Sequence, residues 1–313
     1  MVVRLSVVLR TRIKNVCVGA WRRIARFAGD LFVVGYDRFF ASRERTRREA
    51  FRTKCGPFAG GGSRISVVIT HFNRGESLHR SLHNILSHPV ISEIVIFDDF
   101  SDDSNYAKLV SFLSSLKRSD IRIVKAKSNL KALRAKRAAV EACSSPWVLL
   151  LDSDNTVFRN FLDAIFQMPS RDDSTIYCAA FAFPYFDFRT VAGRDIDFDG
   201  IRKYAAAGTL NRVYFFNDGN YLVPKSRYLE VSHSVGHPCD DAADTMLFNY
   251  FWVSRGGKMK FLPGTSYLHR IEATGRWMTN SICSKMRVTE IVGRLKKGKR
   301  ADPEYAWALG SGK

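Results

Sequence analysis

A chain of 313 residues with 46% apolar and 25% charged side chains, and with 23 Phe, 11 Tyr and 5 Trp, carries enough core material for one large or two modest domains. That excludes a mini-protein and a disordered chain. Six scattered cysteines with no C-x-x-C pair exclude a disulfide scaffold and speak against zinc, and no stretch approaches the roughly 18 consecutive apolar residues of a membrane-spanning helix.

The net charge of +19 sits mostly at the two ends: residues 1–56 hold 14 Lys/Arg against 4 Asp/Glu, and residues 285–313 hold 8 against 3. In the first arm Trp21, Ile24, Ala25, Ala28, Leu31 and Phe32 recur at helical spacing while Arg22, Arg23 and Arg26 take the other face. The pattern predicts a basic amphipathic helix. Its apolar stripe either lies on an anionic membrane surface or docks on the central domain or a second subunit. With no recognised binding motif beside the charge, no specific nucleic acid is expected as a partner. The first 50 residues carry charges throughout and lack the apolar core of a secretory signal, so a cytoplasmic location, with peripheral contact to a membrane through residues 1–56, is expected. Cys55-Gly-Pro-Phe-Ala-Gly-Gly-Gly-Ser63 sustains neither helix nor central strand and marks a linker. The predicted organisation is a basic helical extension and linker over 1–62, a central domain over 63–275 divided into halves at 157/158, and a basic helical tail over 276–313.

Short apolar runs then alternate with helical periodicity. Strands are predicted at Ile65 to Thr70, Ile91 to Phe97, Ile121 to Val124 and Trp147 to Leu151, and helices at Ser77 to Ser87, Tyr106 to Leu116 and Leu130 to Ala142. Repeated β-α-β builds a mostly parallel, Rossmann-like sheet flanked by helices, an α/β fold with its ligands outside the carboxyl ends of the strands.

Three of those ends carry chemistry: Thr70-His-Phe-Asn-Arg74, Phe97-Asp-Asp-Phe-Ser-Asp-Asp103 and Leu151-Asp-Ser-Asp-Asn155. Carboxylates gathered at one edge repel one another unless a cation or a donor-rich ligand compensates, which points to a divalent metal and a hydroxyl-bearing substrate. Neither G-x-x-x-x-G-K-[ST] nor G-x-G-x-x-G follows a strand, against an ordinary kinase or dehydrogenase. Asp102 and Asp103 read as a helix cap, and His79 and His83, four apart without a third ligand, as surface residues.

Val67-Val-Ile-Thr-His-Phe-Asn-Arg74, Glu93-Ile-Val-Ile-Phe-Asp-Asp-Phe-Ser-Asp102, the Asn129 to Ala142 helix and Leu149-Leu-Leu-Asp-Ser-Asp154, in this order and spacing, resemble the nucleotide-binding half of family 2 glycosyltransferases of the GT-A type. The resemblance implies a nucleotide-sugar donor, a UDP-sugar foremost, and a Mn²⁺ or Mg²⁺ cofactor. By it Asp99 accepts a hydrogen bond from the base, Thr70, Asn73 and Arg74 line the donor pocket, Asp152 and Ser153 face the ribose, and Arg134 and Lys136 lie near the phosphates. Asp154, with Asp152 and His269, holds the metal. In the second half of such enzymes an acidic pair opens a helix that ends about a dozen residues later in Gly, followed by an apolar strand and often a His; here Asp244 to Gly256 fits, followed by apolar Lys258 to Gly264 and Tyr267-Leu-His269. Of the candidates Asp240, Asp241 and Asp244, Asp244 is therefore the expected catalytic base of an inverting transfer to a glycan, lipid or protein hydroxyl, with Asp241 in reserve. His233, His237 and Cys239 do not make a convincing zinc site. The chain departs from the family in Ala243, Arg137 and Phe100, where an acid, Asn and Gly are common. Ala273-Thr-Gly-Arg-Trp277 lacks the Gln of the Q-x-x-R-W signature of processive synthases, which favours a single transfer. The rival readings are a nucleotidyltransferase and a non-catalytic module that binds a glycan or a protein partner.

Overall fold

The computed structural model describes residues 64–207, 218–235, 243–270 and 281–301. These belong to the second of two compact units, Gly61–Lys313. The N-terminal amphipathic helix, the glycine-rich linker, Asp240, Asp241, the pair His237 and Cys239, and the Ala273 to Trp277 stretch lie outside the described residues.

The elements in chain order are β1 (Ile65–His71), α1 (Gly75–Leu82), β2 (Ile91–Asp98), α2 (Asp103–Ser115), β3 (Ile121–Lys125), α3 (Ala132–Glu141), β4 (Trp147–Asp152), β5 (Thr156–Val157), α4 (Arg159–Gln167), β6 (Thr175–Phe183), β7 (Phe186–Asp187), β8 (Asp195–Ile196), α5 (Phe198–Ala206), β9 (Tyr221–Pro224), α6 (Lys225–Ser234), α7 (Asp244–Ser254), β10 (Lys258–Leu268) and α8 (Ser281–Lys296). Among the described residues the strands form one sheet in the order β3-β2-β1-β4-β9-β6-β10-β5, with β7 beside β6 and β8 beside β10. The first four pair parallel. Their apolar runs, such as Val67, Val68 and Ile69 or Val148, Leu149 and Leu150, are buried because helices cover both faces. The chain leaves β1 toward β2 on one side and returns through β4 on the other. That reversal opens a crevice at the carboxyl ends of β1 and β4, where Thr70 stands opposite Asp152.

Two boundaries differ from the periodicity for local reasons. Helix α3 starts at Ala132, not Leu130, because the Leu130 and Lys131 N–H groups donate to the Asp99 carboxylate outside the helix (2.6 and 3.1 Å). Strand β10 runs unbroken from Lys258 to Leu268 where two apolar pieces were expected. Pro263, which cannot donate, and Gly264, at φ 72°, are absorbed as a bulge against β6 between Leu262 and Ser266. The Asp102 carboxylate caps α2 by accepting from Asn105 N at 2.9 Å.

Helix α7 is apolar on every side, Met246 to Val253 being buried throughout, so it threads the interior. It ends in a Schellman turn: Gly256 takes φ 77° and donates to Val253 O, and Gly257 donates to Trp252 O at 3.0 Å. Helix α8, expected in a basic tail, is built into the domain. Ile291 and Leu295 are fully buried, it packs on α5 and α7, and Arg294 Nε donates to Tyr250 Oη at 3.0 Å. No helix among the described residues is long and apolar enough to cross a membrane.

Candidate active site

The rim begins with the turn after β1. Buried His71 and Asp98, level with each other on β1 and β2, are joined by Nδ1 to Oδ1 at 2.9 Å, and His71 Nε2 accepts from Arg74 N at 3.3 Å. This pattern needs the neutral imidazole with its proton on Nδ1. Burial pushes the Asp98 carboxyl up, but hydrogen bonds from His71 and Ser101 hold it below the usual carboxylate range. Asn73, at φ 51°, ties the same turn to the next, its N donating to Ser101 Oγ (2.9 Å) and its Oδ1 accepting from Asp102 N (3.0 Å). The two turns thus form one framework, from which Arg74 Nη1 reaches Asp154 Oδ2 at 2.5 Å.

Asp99, expected at the base, anchors the start of α3 through Leu130 N and Lys131 N, and Asn129 Nδ2 donates to its carbonyl. Phe72 and the left-handed Phe100 flank this region and are exposed.

Lys136, expected among phosphates, is buried on α3 between two carboxylates. Its Nζ lies 3.3 Å from Asp152 Oδ1 and 3.2 Å from Asp244 Oδ2. Burial opposes the Lys136 charge, but the two carboxylates more than offset it and raise the ammonium above the usual lysine range. The D-x-D turn and the first residue of α7, 92 positions apart in the chain, thereby converge on one cation. Gly219 allows the approach: a Cβ there would meet Thr245 Oγ1 at 2.7 Å and stand 3.5 Å from Lys136 Nζ. Arg134 is exposed on α3. Ser153 is buried, its carbonyl accepting from Ser81 Oγ at 2.7 Å. The acids expected to await an ion thus already carry counter-charges, Asp154 on Arg74 and Asp152 with Asp244 on Lys136.

Sequence reasoning missed the polar layer beneath Asp152. Asn220 Oδ1 accepts from Asp152 N at 2.9 Å, and Asp218 Oδ1 accepts from Asn220 N and Tyr267 Oη, both at 3.0 Å. Arg270 straps the turn, its Nη1 donating to Asp154 O and Thr156 Oγ1. The only trace in the sequence is Asp218-Gly-Asn220, a polar triplet at the mouth of an apolar strand. Burial drives the Asp218 carboxyl up to about 7; its hydrogen bonds oppose that and the nearby Asp152 charge adds to it. The folded chain therefore keeps this proton up to about pH 7, whereas the unfolded chain loses it near pH 4. The stabilising contribution of the protonated form is complete below about pH 4 and is lost as pH rises through about 7. Asp218→Asn, which keeps the Oδ1 acceptor without the charge, should melt higher than the native chain at pH 8 and together with it at pH 4, read by differential scanning fluorimetry in EDTA. Equal melting at pH 8 would refute the assignment.

His269 follows β10, walled by the rings of Tyr185, Phe186 and Tyr267 with centroids 6.0, 5.3 and 6.0 Å away. Its Nδ1 is buried without a hydrogen-bond partner, and burial lowers the imidazole to about 4 against the pull of the Asp152 charge. A neutral ring nitrogen lacking a partner, within the influence of the Asp152 carboxylate, fits a divalent cation in donor type. Among the described residues, however, no three His, Cys, Asp or Glu side chains are drawn together as a ligand set, since Asp154 is on Arg74 and Asp152 on Lys136. His79 and His83 are exposed, and His233 pairs with Glu141 at the surface.

Comparison with known proteins accords with this layout. The chain is 25% identical over 221 residues to the glycosyltransferase GlyG of Streptococcus pneumoniae, covering 66% of this chain and 70% of that protein. It is 29% identical over 154 residues to mouse polypeptide N-acetylgalactosaminyltransferase 10, a match covering 48% of this chain and only 23% of the mouse protein. Two solved structures share the fold at low identity. One is the mannosyltransferase PcManGT of Pyrobaculum calidifontis with GDP-Man and Mn²⁺ (TM-score 0.54, 14% identity, 88% of this chain and 78% of that one). The other is S. aureus TarS 1–349 with UDP-GlcNAc (TM-score 0.54, 12% identity, 77% and 68%). The sheet and its covering helices are of the GT-A type. The glycosyl transferase family 2 model matches residues 66–231, more than half of the sequence, and with it the β1, β2 and β4 ends built above, so the chain belongs to glycosyltransferase family 2.

Proposed function

We propose that this glycosyltransferase moves a single sugar from a nucleoside diphosphate donor, a UDP-sugar foremost, to the hydroxyl of a glycan, lipid or protein acceptor, with inversion. The observation that supports the reading is the meeting of Asp152 and Asp244 on Lys136 Nζ, which we read as a donor-side and an acceptor-side carboxylate. Thr70, Asn73 and Asp99 serve the base, and Asp152 with Ser153 the ribose. Arg74, Arg134 and Lys136 supply positive charge around the diphosphate. Asp244 removes the proton of the attacking hydroxyl as the sugar is taken from the face opposite the departing diphosphate. Lys136 holds that carboxylate in position. Asp154, Asp152 and His269 would hold Mn²⁺ or Mg²⁺, which when bound neutralises the charge growing on the leaving group.

Purified protein with Mn²⁺ and a panel of sugar nucleotides should slowly hydrolyse one donor, UDP release being followed without acceptor. Release that survives EDTA would remove the metal from the proposal and leave sugar transfer standing. Failure of every donor to bind or turn over would remove the whole reading.

A further inference from the structure

The contact between Arg74 and Asp154 sets a competition. Nη1 and Oδ2 are 2.5 Å apart, with the side chains 23% and 12% exposed, so the pair is shielded from water on most sides. Neither end is free to drift: Arg74 N is held on His71 Nε2, the turn before it on Ser101 and Asp102, and the Asp154 backbone on Arg270. The oxygen under this guanidinium belongs to the aspartate assigned above to the cation. An Arg fork also matches a phosphate as well as it matches a carboxylate.

We propose that Arg74 is an exchangeable counter-ion: in the donor-free protein it occupies Asp154 in place of the divalent cation, and on donor binding it leaves Asp154 for the diphosphate. The inference rests on the proposed donor and metal reading and adds an order to it. Cation alone must displace the guanidinium and binds weakly. Cation with nucleotide gives the guanidinium a new partner and binds well, so each strengthens the other.

The test uses the full chain and two probes, Mn²⁺ and UDP. Free Mn²⁺ is read by electron paramagnetic resonance without nucleotide, and UDP affinity by calorimetry at saturating Mn²⁺. Arg74→Met should bind Mn²⁺ alone on the order of tenfold more tightly than the native chain and UDP more weakly. Arg74→Lys, which keeps the charge without the fork, should fall between. Asp154→Asn should lose Mn²⁺ binding in either background, and melting curves matching the native protein exclude misfolding as the cause. Should Arg74→Met bind Mn²⁺ alone no more tightly than the native chain, while native UDP binding still requires Mn²⁺, the exchange is wrong and the donor reading survives. Absence of Mn²⁺ binding by the native chain with and without UDP would overturn the exchange and the metal reading together, and leave sugar transfer itself to the donor-turnover assay.

Discussion

Asp244→Asn should bind donor and cation as the native chain does and lose transfer by about 10²- to 10⁴-fold, the usual contribution of a positioned general base. The substitution is nearly isosteric, and the amide oxygen can still accept from Lys136 Nζ at the position of Oδ2. What disappears is the ability to take a proton. The split between the two readouts is therefore the diagnostic. Acceptor-dependent product formation should collapse, while UDP affinity and the slow donor hydrolysis seen without acceptor should persist. Normal transfer by this variant would transfer the role to another residue, with Asp241 the first to examine.

Lys136→Met is the larger perturbation of the fold. The ammonium is 11% exposed and Asp244 9%, so removing the cation leaves a buried carboxylate facing Asp152 with no counter-charge. Breaking a buried ion pair from one side typically destabilises by about 3–5 kcal/mol, mostly through the stranded charge. The variant should melt well below the native protein and show no transfer. Combining it with Asp244→Asn should recover part of the lost stability, because the stranded charge is then gone, and the non-additivity measures the pair. A Lys136→Met protein that melts with the native chain would show that water already solvates these carboxylates.

The difference between what could and could not be read in the sequence follows from the range of the interactions. β1, β2 and β4 were legible because strands covered on both faces must be apolar along their length, and no tertiary knowledge is needed to see Ile65 to Ile69 or Trp147 to Leu151. The crevice followed from the β-α-β order, and the strand-end motifs of the first half pointed to the family. Charge states were not legible. Lys136 looks in sequence like one cation in a basic helix, and only the arrival of Asp244 beside it through α7 makes it a bridge. Asp218 is unremarkable until Tyr267 and Asn220 enclose it, because burial, not residue type, decides whether its proton stays. Helix α8 was read as part of a tail because residues 285–313 hold 8 Lys/Arg against 3 Asp/Glu, which drew attention from the short Ile291, Val292 and Leu295 stripe that seats it.

Strand β9 has a mechanical consequence. It is hydrogen-bonded to β4 on one side and to β6 on the other, both antiparallel, so it stitches the two halves of the catalytic domain into one ladder. A hinge between the halves would have to rip those bonds, leaving the frame that carries Asp152 and the frame that carries β10 unable to swing apart during turnover. Amide exchange in β4, β6 and β9 should accordingly be indifferent to nucleotide, whereas among the described residues ligand-dependent slowing is expected in the turns that follow β1, β2 and β4.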